Sequence, residues 1–134
     1  MTRIIITGDR NWSCIPLALR VIRRIQARLG NEFVIVHGDA TGVDHSFRLA
    51  CEELGIAHEP HPVLWDKTGP AGGPMRNQAM VDLGAEYAIA VHRNLLRSRG
   101  TLDCVRKCLR AGIPVYLIDG ANLERRVREE DLCG

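Results

Sequence analysis

The sequence predicts a three-layer α/β/α sandwich around a central, mainly parallel five-stranded sheet. Three observations predict it. Short β-rich runs alternate with stretches of helical period along the chain. The runs are continuously apolar, as strands covered on both faces are. Each helical stretch before a new run is closed by a glycine, which suits a helix end.

The elements follow in order. "RIIIT" (3–7) reads as the first strand. Leu17, Val21, Ile22, Ile25 and Leu29 then form an apolar helical stripe, with Arg20, Arg23, Arg24 and Arg28 on the wet side. Pro16 suits its first turn and Gly30 its end. "EFVIVH" (32–37) is the second strand, and Val43, Phe47, Cys51 and Leu54 make a second stripe ending at Gly55. "IAHEP" (56–60) is a weaker strand. Residues 61–74 read as a long loop of the kind that carries function. Pro74 then opens a third helix through Ala79, Met80 and Leu83, ending at Gly84. "YAIAVH" (87–92) is the fourth strand, Leu102, Val105 and Leu109 mark a fourth helix ending at Gly112, and "PVYLI" (114–118) is the fifth strand. "NLERRVREEDL" (122–132) predicts a charged surface helix capped by Asn122. Residues 1–134 read as one domain with right-handed crossovers and no repeat or linker.

Composition narrows the function classes. At 134 residues the chain can bury a sizeable core, and with 4% aromatics that core must be aliphatic. A formal charge of +2 excludes a strongly basic nucleic-acid coat but leaves room for local patches. "IIIT" (4–7) is too short for a secretory core or a membrane span. Five cysteines without a CxxC pair suit reduced thiols in a cytoplasmic protein. Cys104 and Cys108 share a helix face but lack a matching second ligand pair, and the spacing of His58 and His61 would suit a metal on a helix but falls on a strand and loop, so no metal is expected.

Open parallel sheets bind ligands beyond the carboxyl ends of their strands, where strand order reverses. Four of the segments that follow strands are rich in glycine and polar residues. In "GDRNW" (8–12), Gly8 turns the chain, Asp9 and Arg10 can meet a ligand, and Trp12 either stacks on a base or closes the core. In "GDATGVD" (38–44), Gly38 and Gly42 allow close backbone approach and Thr41 caps a helix or frees its amides for an anion. Asp39 and Asp44 can accept from ribose or base, or serve ordinary turn and cap chemistry. Gly73, Arg76 and Asn77 stand at the next helix start, where a cation opposes the macrodipole. A bound anion, or a neighbour such as Asp9 or Asp39, would relieve that conflict. In "SRGT" (98–101), Ser98 or Thr101 caps or meets phosphate, Gly100 allows approach, and Arg97 and Arg99 add charge. His37 and His92 end strands near the same rim.

"TGDRNW", "HGDATGVD" and above all "GPAGGPMRNQAMVD" after Trp65 resemble the SLOG superfamily, which includes the SMF/DprA and LOG proteins, and within it the YspA-like, YpsA-related branch. The resemblance spans about residues 3 to 118. It implies a Rossmann-like fold that binds a nucleotide or nucleotide-derived ligand, with ADP-ribose-type molecules among the suggestions. It carries Gly8, Asp9, Arg10, Gly38, Asp39, Gly42, Asp44, Gly73, Arg76, Asn77, Gly100 and Thr101 over as ligand positions. It also implies a homodimer. LOG-type phosphoribohydrolases use PGGxGTxxE in the fourth loop, whereas this chain has "LRSRGTLDC": Cys104 stands at the acidic position, and Asp103 would point about 100° away.

Three functions are therefore weighed. The first is binding or sensing of a nucleotide derivative, with Trp65 folding over it and no separate cofactor. The second is hydrolysis of an N-glycosidic or phosphate bond, with Asp39 and Asp44 as candidate catalytic carboxylates. The third is DprA-like nucleic-acid binding through the arginines of the first helix and Arg93, Arg97 and Arg99, against which the small net charge argues.

Overall fold

The computed structural model describes residues 1–120 and 124–133. Six strands form one sheet in the order β3-β2-β1-β4-β5-β6. β1 (Thr2–Gly8), β2 (Phe33–His37), β3 (Ala57–Pro60), β4 (Tyr87–Val91) and β5 (Val115–Ile118) run parallel, and β6 (Glu124–Val127) joins β5 antiparallel. The register sets Ile4 against Ile35 and Ile6 against Ile89. Strand order reverses at β1, between β2 and β4.

The consecutive isoleucines of β1 feed two cores, because successive side chains point to opposite faces. Ile4 and Ile6 pack with Phe33, Ile35 and Ile89 under α1 (Ile15–Leu29) and α2 (Val43–Leu54). Ile5 packs with Val36, Ala88 and Ala90 under α4 (Gly72–Asp82) and α5 (Gly100–Arg110). Each fully buried side chain of this size stabilises the fold by about 2 kcal/mol. α1 and α2 end where glycine was expected, with Gly30 at φ +62° and Gly55 at φ +69°.

Two expectations need correction. Residues 61–74 are not a structureless loop. They hold the one-turn helix α3 (Trp65–Thr68) and a 3₁₀ turn at Gly69–Ala71 that runs into α4, so Pro74 is the third helical residue rather than the first. Four residues are too few to show a period. The turn is held by the Thr68 hydroxyl, which donates to the Leu64 carbonyl at 3.2 Å.

The charged C-terminal segment is not a helix over 122–132. Glu124–Val127 is the sixth strand and Glu129–Leu132 a 3₁₀ turn, while the expected cap Asn122 lies outside the described residues. Val127 is buried opposite Val115, and the preceding charged residues line an edge strand. Charge at a sheet edge discourages pairing with another chain, so the same composition suits edge strand and surface helix alike.

Candidate functional site

The carboxyl ends of β1, β2 and β4 and the N-terminal turns of α4 and α5 enclose a cleft of about 720 Å³. Its lining includes Gly8, Asp9, Arg10, Gly38, Asp44, Gly73, Arg76, Asn77, Arg99, Gly100 and Thr101. Trp65, Met80, His92, Ser98 and Asp103 complete its polar and apolar walls. The volume suits a small-molecule ligand.

The loops after β1 and β2 are stitched together. The Val43 N–H donates to the Asp9 carbonyl at 3.0 Å, and the Thr41 hydroxyl donates to the Arg10 carbonyl at 3.0 Å. Gly42 sits at φ +74°, where a Cβ would run into the backbone of Asp9 and Arg10. Thr41 and Gly42 therefore join the two loops beside the cleft. Gly8 is equally constrained: a Cβ there would lie 2.5 Å from Val43 Cγ1 and 2.7 Å from the Val91 carbonyl oxygen.

The two carboxylates of "GDATGVD" separate. The Asp39 carboxylate pairs with Arg48 at 3.1 Å and is not among the residues that line the cleft. Asp39 is thus salt-bridged to Arg48 on the flank of α2, beside Gly38 and Ala40, which line the cleft. Asp44 is in place. It is 6% exposed, and its Oδ2 accepts from the Gly38 N–H at 3.1 Å and the Ala40 N–H at 3.4 Å. Its Oδ1 is buried with no hydrogen-bond partner among the described residues. Burial pushes the carboxyl up to about 6, against the lowering effect of the Ala40 amide, Arg76 and the Gly38 amide. A buried carboxylate oxygen without a partner is costly, which marks it as a group awaiting one.

Arg76, at the start of α4, is held by backbone carbonyls and feels the Asp44 carboxylate. Its guanidinium donates to the Gly38 carbonyl and, at 3.4 Å, to the His61 carbonyl, while its Nε donates to Asn77 Oδ1 at 2.9 Å. A Cβ on Gly38 would collide with that guanidinium. Asn77 passes the contact on: its Nδ2 donates to the Gly100 carbonyl at 3.2 Å and to Asp103 Oδ2 at 2.9 Å. Asp103 also pairs with Lys107 at 2.7 Å within α5, and the Lys107 ammonium donates to the Pro74 carbonyl at 3.1 Å, which ties α5 to α4.

Asp103 is the site residue that sequence reasoning passed over. Cys104, at the position of the LOG acidic residue, is wholly buried in the second core, whereas Asp103 lines the cleft. Its spacing from Lys107, one helical turn, was the available signal. At the α5 start the Ser98 hydroxyl already accepts from the Thr101 and Leu102 amides at 3.0 and 3.1 Å, so the cap reading of "SRGT" holds. Arg10 and Arg99 are exposed on the rim and make no ion pair or side-chain hydrogen bond among the described residues. Trp12 packs against the first core beneath the Arg93 guanidinium, 4.1 Å above its ring. Among the described residues no His, Cys, Asp or Glu group is arranged to hold a metal ion, and no helix is long and apolar enough to cross a membrane.

Parallel strands, helices on both faces and a cleft at the point of strand reversal define a Rossmann-like architecture. Residues 2–67 match the family described as YspA, cpYpsA-related SLOG (YAcAr). The chain is also 33% identical to the Gene 61 protein of Mycobacterium phage D29, over 86% of this chain and 94% of that protein. The chain belongs to this SLOG family. Its fold is similar to the X-ray structure of DNA processing protein A (DprA) from Streptococcus pneumoniae, with a TM-score of 0.71 and 20% identity. That likeness covers 90% of this chain and 51% of DprA, so the chain spans about half of that protein's length.

Proposed function

We propose that the cleft binds a nucleotide-derived ligand of the ADP-ribose type. One observation carries the reading: Asp44 lines the cleft with a buried, unpartnered Oδ1. A ribose hydroxyl or a base N–H would supply the missing donor. Arg10 and Arg99, whose side chains make no ion pair or hydrogen bond among the described residues, are suited to phosphates. Calorimetric titration with ADP-ribose, adenine nucleotides and nucleoside monophosphates tests the reading. Binding that is lost in Asp44→Asn and weakened in Arg99→Ala supports it. A chain that binds none of these ligands contradicts it.

A hydrolytic reading has its own support. A carboxyl pushed up to about 6 can hold and release a proton near neutral pH, as bond cleavage at ribose requires. Asp39, paired with Arg48 at the surface, is the second candidate carboxylate, and Asp39→Asn belongs in the assay beside Asp44→Asn. Chromatography of nucleotides after incubation would show base or ribose phosphate released by the wild type and not by Asp44→Asn. Turnover that survives the substitution removes Asp44 from the chemistry. DprA-like nucleic-acid binding has no observation in the cleft that favours it over a small ligand, and single-stranded DNA belongs in the same titration.

A further inference from the structure

His37 lies behind the cleft wall, wholly buried at the end of β2. Both of its ring nitrogens are committed. The Asp39 N–H donates to Nδ1 at 3.0 Å, so the ring proton sits on Nε2. Nε2 lies 3.1 Å from His58 Nδ1 and donates to it. His58 is thereby set in the same tautomer, with its own Nε2 directed toward Glu52 at 3.7 Å.

The bond to Asp39 falls at a strained point. Asp39 is the one non-glycine residue at positive φ among the described residues, at +54°. Such a conformation costs on the order of 1 kcal/mol or more and persists where surrounding contacts fix it. In this conformation the Gly38 and Ala40 amides reach Asp44 Oδ2, while the Asp39 amide between them turns to His37. On the other side Arg76 holds the Gly38 carbonyl.

We propose that His37 is a positioning residue: as the neutral Nε2–H tautomer it holds the 38–40 turn so that two amides bind Asp44 Oδ2 and Oδ1 is left for the ligand and the proton. A cationic ring would place a proton against the Asp39 N–H. Burial and the neighbouring His58, Arg48 and His61 oppose that charge, Asp39 favours it, and the balance lowers His37 to about 4. The ring is therefore neutral wherever Asp44 titrates usefully. The inference rests on Asp44 as the cleft carboxylate and not on which ligand binds.

The test is a carboxyl ¹³C NMR titration of Asp44 in the ligand-free protein, with the resonance assigned through Asp44→Asn. His37→Ala removes the acceptor and frees the turn, so Asp44 loses amide donors and its midpoint rises by about one unit, the size of a lost hydrogen bond. His37→Asn places an oxygen near the position of Nδ1 and keeps the midpoint within about 0.3 unit of wild type. A midpoint unmoved in His37→Ala, or moved equally in His37→Asn, overturns the proposal. If His37→Ala does not fold, His37→Gln, whose oxygen reaches past the Nδ1 position, is compared with His37→Asn. A raised midpoint in Gln alone supports the role, and equal midpoints overturn it. Because no ligand is added, failure of every nucleotide to bind removes the proposed function and leaves this result standing.

Discussion

The floor and the rim of the cleft are built in opposite ways. At the floor, the 38–44 turn that carries Gly38, Ala40 and Asp44 into the cleft leaves little unassigned: Gly38, Asp39 and Ala40 each commit their amides, Thr41 and Val43 tie to the β1 loop, and Asp44 Oδ1 has no hydrogen-bond partner among the described residues. On the rim, Arg10 and Arg99 have no partners among the described residues, and Trp65 is 50% exposed. The contrast separates two jobs. The floor is preorganised and coupled to the fold, whereas the rim is free to adapt, and changing it leaves the fold alone.

Substitutions can break or sharpen that contrast. The largest effect is expected at Gly42, where any Cβ meets backbone atoms of the neighbouring loop at φ +74°. Gly42→Ala should lower stability by about 2–4 kcal/mol in urea unfolding. A loss below about 0.5 kcal/mol would show that the floor yields.

Asp44→Asn comes next, with the opposite sign. The folded chain holds the Asp44 proton up to about pH 6, against an ordinary value of 3.8, so it binds the proton more tightly than the unfolded chain between those values. Stability contributed by this group therefore falls as pH rises through that window and stays lower above it. Asp44→Asn should be more stable than wild type by about 1–3 kcal/mol at pH 7, with the gain vanishing below about pH 4. Equal stability at pH 7 would mean that the carboxylate is better solvated than its surroundings suggest.

His37 gives the mirror dependence. Its pKa is lowered from 6.5 to about 4, so the stability it contributes is present above pH 6.5 and is lost as pH falls toward 4. His37→Asn should flatten that part of the pH–stability curve, and an unchanged curve would contradict a buried neutral imidazole. The smallest effect on stability belongs to the rim. Arg10→Ala and Arg99→Ala should each stay within about 0.5 kcal/mol of wild type while weakening ligand binding about tenfold.

Much of this architecture was legible in the sequence, for identifiable reasons. The apolar runs located β1, β2, β4 and β5 because their buried side chains feed the two cores, and the glycines after α1 and α2 located their ends because left-handed backbone favours glycine; β3, an unburied edge strand, was the weaker signal. Arg76 and Asn77 were legible as site residues from a motif, though not their partners, which come from loops 38 and 23 positions away. Asp39 and Asp44 looked alike in sequence because burial and Arg48, which set them apart, are tertiary facts. β6 was missed because pairing with β5 overrides a charged composition that by itself suits a helix. The rim arginines were visible as charge, but their lack of partners was not.

The central claim is that Asp44 Oδ1 is the atom the ligand completes. A crystal structure of the protein with ADP-ribose tests it most directly. The expected result is a ligand hydroxyl or N–H within about 3 Å of Oδ1, with phosphates near Arg10 or Arg99. A ligand seated in the cleft that leaves Oδ1 without a donor, or one seated elsewhere on the molecule, would contradict it.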